Sequence, residues 1–97
     1  LYEEVLHYEL CKQGFLVKRQ HPVPVIWDNT EMDLGFRADL IVEDLVLIEL
    51  KSVKALDPVH KKQVLTYLKL TGFKLGLLIN FNEALIKNGI ARIVNDL

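Results

Sequence analysis

Residues 36–51, Phe-Arg-Ala-Asp-Leu-Ile-Val-Glu-Asp-Leu-Val-Leu-Ile-Glu-Leu-Lys, constrain this chain more than any other stretch. They read as two strands joined by a tight acidic turn at Glu43-Asp44. The Leu-Val-Leu-Ile run of the second arm is apolar on both faces, which predicts a strand at the centre of a sheet. Charges interrupt this apolar pattern. Asp39 falls in the first arm, while Glu49 and Lys51, two residues apart in the second, project from one face. Burying an unpaired charge is expensive, so a glutamate within Val-Leu-Ile-Glu-Leu-Lys requires a compensating partner.

The remaining chain supplies the elements that would surround such a pair. Residues 1–13 predict a helix, with Leu1, Val5, Leu6 and Leu10 as its apolar stripe and Gly14 as its stop. Residues 15–27 predict an extended segment, placed at a sheet edge or made irregular by Pro22 and Pro24. Asp28-Asn29-Thr30 is a turn, residues 32–42 the next strand and residues 45–51 the one after it. Asp57-Pro58 caps a helix over residues 57–70, closed by Thr71-Gly72. Residues 73–81 make a further strand, 82–87 a turn or short helix, and 89–94 a last strand. The order is α-β-β-β-α-β. A helix between two strands permits them to pair in parallel, so the fold class expected is α/β, a mixed central sheet flanked by helices.

Bulk properties exclude several functions. A length of 97 residues predicts one domain, 1–97. No apolar run approaches the roughly 18 residues of a membrane span. The single cysteine, Cys11, rules out an internal disulfide and a thiolate zinc cluster, and fits a cytoplasmic location. A net charge of −1 argues against nonspecific coating of nucleic acid but leaves room for a local basic surface. The chain opens in a helical pattern without Met, which suggests a trimmed N-terminus, so the lack of a targeting segment weighs little.

Asp39, Glu49 and Lys51 fit the pattern D-x(n)-E-x-K. Mg²⁺ or Mn²⁺ favours carboxylate oxygens, and Asp39, Glu49 and the Leu50 carbonyl would together hold one ion. Such an ion activates water and offsets charge on a phosphate, with Lys51 orienting the water or stabilising the transition state. A cross-strand salt bridge explains the same triplet. On the following helix His60, Gln63 and Tyr67 share a stripe beside Val64 and Leu68. Gln63 near that helix's start would reach the water or a phosphate; alternatively it is a boundary residue and Tyr67 is core. Arg37 either pairs with the Asp39 carboxylate or touches a phosphate, the ion pair being the ordinary outcome. His60 suits hydrogen bonding, phosphate contact or packing rather than metal ligation, and Lys54, Lys61 and Lys62 make either a phosphate rim or a solvated helix face. Trp27 could stack on a base, although a core or interface anchor is its commoner use, and Cys11 has no assigned role.

Four blocks in order, Phe-Arg-Ala-Asp-Leu at 36–40, Ile-Glu-Leu-Lys-Ser-Val at 48–53, Gln-Val-Leu-Thr-Tyr-Leu at 63–68 and Gly-Leu-Leu-Ile-Asn-Phe at 76–81, resemble the GxxExxY family of the PD-(D/E)XK nuclease superfamily. The resemblance spans nearly the whole chain and implies a restriction-endonuclease-like α-β-β-β-α-β core. It carries the acidic pair and lysine onto Asp39, Glu49 and Lys51, and the Q-x-x-x-Y element onto Gln63 and Tyr67. Tyr2 matches the tyrosine that closes the family's name motif, whose glycine and glutamate would precede Leu1. Glu3 is then the best candidate for the further first-helix glutamate used by many members, with Glu9 the runner-up.

The function expected is a Mg²⁺- or Mn²⁺-dependent hydrolysis of DNA phosphodiester bonds. The catalytic set would be Asp39, Glu49, Lys51, Gln63 and Glu3, with Tyr67, His60 and Arg37 touching substrate. The alternative is a non-catalytic nucleic-acid or protein binding module that keeps the fold. A third possibility is self-association, possible as a homodimer through the extended Pro22-Val23-Pro24-Val25-Ile26-Trp27 segment.

Overall fold

The structure, a computed structural model, describes residues 1–33 and 35–96; Leu34, within the strand expected over 32–42, and Leu97 lie outside the described residues. The elements run α1 (Tyr2–Lys12), β1 (Val17–Pro22), β2 (Val25–Trp27), β3 (Thr30–Met32), β4 (Arg37–Val42), β5 (Val46–Lys51), α2 (Pro58–Thr71), β6 (Leu75–Asn80), a 3₁₀ turn (Ile86–Gly89) and β7 (Ile90–Val94). Among the described residues five strands form one sheet in the order β1-β4-β5-β6-β7, and β2-β3 is a separate ribbon. The β5-β6 pair is parallel and the other neighbours antiparallel, so the expected mixed α/β sheet with β5 at its centre is borne out.

Alternation along the central strands feeds two apolar layers. On one side Ile41, Leu47 and Leu78 meet Val64 and Leu68 of α2. On the other, Leu40, Ile48 and Ile79 are covered by Leu6 and Leu10 of α1. Helix α1 buries none of its residues fully and lies as a half-attached layer. Helix α2 is set more firmly. Asp57 accepts the Val59 N–H at 2.9 Å, the His60 ring accepts the Asp57 N–H at 2.9 Å, and Gly72 ends the helix at φ 85°.

The hairpin between β4 and β5 turns through Glu43 and Asp44, both at φ 55°, and closes with Leu45 N–H on the Val42 carbonyl at 3.0 Å. Two successive positive φ values give the turn hand that matches strand twist. Leu45, expected to begin the strand, is instead exposed at its foot.

Two boundaries differ from expectation. The extended stretch over 15–27 breaks at Pro22-Val23-Pro24: β1 ends as an edge strand, and β2 pairs with β3 across a two-residue turn at Asp28-Asn29, φ 52° and 58°. The strand expected over 32–42 begins only at Arg37. Trp27 sits on this ribbon with 63% of its surface exposed, so it is not a core residue; Val23 and Val25 supply the burial instead. Among the described residues, no helix is long and apolar enough to cross a membrane.

Candidate active site

Beyond Leu40↔Ile48 the β4-β5 ladder stops, although the same register would set Asp39 opposite Glu49. The Asp39 carboxylate takes the place of a strand carbonyl: Oδ2 accepts the Leu50 N–H at 2.8 Å. Its Oδ1 accepts from the Gln20 amide at 3.2 Å. A short side chain whose two oxygens are both held has little rotational freedom left.

Glu49 shares the α2-facing side of β5 with Leu47. Its Oε1 is buried and has no hydrogen-bond partner among the described residues. Burial first, then the Asp39 charge, raise its pKa from 4.5 to about 7; the Lys51 charge and the Asp39 main chain oppose this without cancelling it. Among the described residues no ion pair joins Lys51 to Asp39 or Glu49, which removes the cross-strand salt bridge as an account of the triplet.

Two hollows flank these residues. One is lined by Tyr2, Glu3, Asp39, Lys51, Ser52 and Phe81. Tyr2 stacks on Phe81 there, with ring centroids 4.7 Å apart and planes 6° from parallel. The other brings Glu49 together with Arg37, Phe36 and Tyr67. Asp39 thus lines the first hollow and Glu49 the second, while the charge and main chain of Asp39 still act on the Glu49 carboxylate. Glu3 of α1 reaches the first hollow: its Oε1 accepts the Gln20 amide at 2.6 Å, and its Oε2 accepts Arg19 Nη2 at 2.9 Å. Glu9 is exposed on the same helix.

Other expected site residues are less convergent. Gln63 donates to the Tyr67 hydroxyl at 2.9 Å and lines a third depression with His60, Lys62 and Thr66, whose lining includes neither acid. Gln63 is exposed on the turn that follows the cap, and Tyr67, one turn on along the same stripe, tilts against Phe36 with ring centroids 4.2 Å apart. His60 spends one ring nitrogen on the helix cap. Arg37 does not pair with Asp39; it donates to the Gln20 carbonyl at 3.2 Å.

Asn80, quoted only as part of the 76–81 block, and Gln20 are assigned no role from the sequence, because single polar residues in apolar or edge strands have no periodic signature. Asn80 is fully buried at the end of β6, in register with Lys51. Its side chain accepts the Val53 N–H at 3.0 Å and the Asn82 N–H at 3.2 Å, and donates to the Val53 carbonyl at 2.8 Å. The chain leaving β5 is thereby pinned directly after Lys51.

Whether these residues suit a divalent ion can be judged from the donors. Among the described residues no group of three or more His, Cys, Asp or Glu side chains gathers for a metal. The available set is two carboxylates and the Leu50 carbonyl, all hard oxygens. Magnesium is commonly held by one or two carboxylates and keeps several waters. The partnerless Glu49 Oε1, raised in pKa beside a second acid, is a group whose charged form a cation would stabilise. The donors fit.

No curated protein matches the sequence. The fold matches two solved structures of an alkaline exonuclease, LHK-Exo, from Laribacter hongkongensis: one described by that name, with TM-score 0.64 and 22% identity, and one in complex with dAMP, with TM-score 0.61 and 20% identity. Each alignment covers 99% of this chain and 55% of the exonuclease, so the chain spans about half the length of those structures. The family model of the PD-(D/E)XK nuclease superfamily matches residues 1–93, and the chain belongs to that superfamily.

Proposed function

We propose that this domain is a divalent-metal-dependent nuclease that hydrolyses phosphodiester bonds in DNA. The observation that carries the proposal is the half-buried Glu49 beside Asp39, whose Oε1 is buried without a hydrogen-bond partner among the described residues, with Lys51 two residues along the same strand and no ion pair between them. A salt bridge would satisfy these charges internally; here neither acid is tied to Lys51.

In this reading Asp39, Glu49 and the Leu50 carbonyl hold Mg²⁺ or Mn²⁺. The chemistry such an ion supplies is a lowered pKa for water and neutralisation of charge on the phosphate. The protein's part is orientation. Leu50 N–H and the Gln20 amide fix Asp39, and Asn80 fixes the turn that follows Lys51. Lys51, lining the hollow with Asp39, offers its ammonium to the charge that develops on the phosphate oxygens. Glu3 extends the acidic wall from α1. Gln63, hydrogen-bonded to the Tyr67 hydroxyl at the rim of the Glu49 hollow, is assigned to positioning water, His60 to the nucleic-acid backbone, and Tyr67 and Arg37 to the substrate side of that hollow. A DNA substrate is supported by the dAMP bound in the similarly folded exonuclease. Membership of the GxxExxY branch rests on the four sequence blocks and on Tyr2.

The rival reading, a binding module that does not cut, draws on one observation: protein donors already engage both Asp39 oxygens. A cleavage time course separates the two. Single-stranded, duplex and branched DNA would be incubated with Mg²⁺, Mn²⁺ or EDTA, with Lys51→Ala in parallel. The expected outcome is cutting that EDTA abolishes and that Lys51→Ala slows by about 10²–10³-fold, with the half-exposed lysine's removal leaving stability within about 0.5 kcal/mol. Folded protein that binds Mn²⁺ but cuts nothing would transfer the assignment to the binding module.

A further inference from the structure

Gln20 occupies the centre of the acidic constellation without belonging to any recognised motif. Its neighbours are in register with β4, Arg19↔Leu40 and His21↔Ala38, yet Gln20 itself makes no pair with Asp39 across the ladder. Its φ is 45°, a left-handed conformation that an L-residue other than Gly, Asn or Asp adopts at a cost on the order of 1–2 kcal/mol. A strand interior gains nothing from that distortion. The side chain does. One amide nitrogen donates to Glu3 Oε1 at 2.6 Å and to Asp39 Oδ1 at 3.2 Å, so its two N–H groups join a carboxylate of α1 to one of β4. The Gln20 carbonyl meanwhile accepts from Arg37, which lines the Glu49 hollow. A single residue therefore contacts groups lining both hollows, Glu3 and Asp39 through its side chain and Arg37 through its main-chain carbonyl.

We propose that Gln20 is a positioning residue whose strained backbone aims its amide so that Asp39 and Glu3 face one ion together; the inference rests on the metal-dependent reading above. A neutral donor suits this task. It draws Asp39 towards Glu3 without adding a charge, whereas a lysine or arginine at that position would add one; Glu3 keeps its ion pair with Arg19 at 2.9 Å. The remaining Asp39 oxygen is held by Leu50 N–H, so loss of the Gln20 amide would release one oxygen only and leave the fold intact.

Two variants separate the amide from the backbone. Gln20→Gly relieves the positive φ and deletes the amide; Gln20→Met keeps the length and deletes the donors. Mn²⁺ affinity by electron paramagnetic resonance and Tm in EDTA would be measured for both and for the wild type. The expected result is Mn²⁺ binding weakened at least tenfold in both variants, with the Gln20→Gly Tm equal to or above that of the wild type. Unchanged affinity in either variant would overturn the proposal. So would a Gln20→Gly protein whose Tm falls together with its affinity, since the residue would then be holding the fold. A wild-type protein that binds no Mn²⁺ would remove the metal-dependent reading itself, and Gln20's role with it; wild-type binding with no change on substitution removes Gln20 alone.

Discussion

At the scale of single residues, Glu49 is where folding and function conflict. Its pKa is raised from 4.5 to about 7, so between those values the folded chain holds a proton that the unfolded chain has lost. The unfolded state then binds fewer protons, and stability must fall as pH rises through this window and level off above it. Below 4.5 both states are protonated and the penalty vanishes. Glu49→Gln carries no charge at any pH and should lack this component. In EDTA, denaturant unfolding at pH 4.5 and pH 8 should show the wild type losing roughly 1–2 kcal/mol more than the variant, less than full linkage because the carboxylate keeps partial contact with solvent. Parallel pH profiles would mean that Glu49 is not held against its charge. The residue was legible in the sequence for the same reason: a glutamate inside an apolar strand is conspicuous. Gln20 was not, since nothing in Val-Lys-Arg-Gln-His-Pro separates a strained amide from solvated edge residues.

At the scale of elements, the site depends on how β5 ends. A parallel β5-β6 pair sends the chain out of the sheet at Lys51, and the exit needs hydrogen-bond partners that the ladder no longer supplies. Asn80 supplies three to main-chain groups of Val53 and Asn82, and the Phe81 N–H adds one to the Lys51 carbonyl at 2.9 Å. Asn80→Ala leaves the Val53 groups without their partner, and we expect a loss of about 2–4 kcal/mol, summed over bonds worth roughly 1 kcal/mol each plus desolvation. Hydrogen exchange should show faster opening at the Val53 and Asn82 amides than within β6; uniform destabilisation would instead assign Asn80 to general packing. The sequence made β5, α2 and β6 readable because each has a strong local cause: a doubly buried apolar run, an Asp-Pro cap, and Leu-Gly-Leu-Leu-Ile. The region between β1 and β4 was less readable. Asp28-Asn29 signalled a turn, but whether its flanks join the main sheet or close on each other depends on Pro22 and Pro24 ending β1, a tertiary outcome with no local periodicity.

At the scale of the molecule, the proposed ion ligands come from elements that only folding brings together. Asp39 lies on β4, Glu49 and Leu50 on β5, and Glu3 on α1 reaches them through Gln20 of β1. Elements so far apart in sequence offer no preformed site when unfolded, so ion binding adds directly to folding stability. At a free Mn²⁺ concentration about 100-fold above Kd the gain is about 2.7 kcal/mol. For a chain of 97 residues this raises Tm by roughly 10 °C or more. Asp39→Asn keeps a hydrogen-bond acceptor for Leu50 but gives up the charge, and its Tm should respond far less to the ion. The comparison of interest is between metal-linked stability and metal-dependent cleavage. If wild-type Tm climbs with Mn²⁺ and the Asp39→Asn Tm does not, the free protein assembles the ion site by its own folding. If cleavage needs metal while Tm stays flat, the ion arrives with the phosphate: like charges at Asp39 and Glu49 would then be joined by a cation only once the nucleic acid completes the donor set.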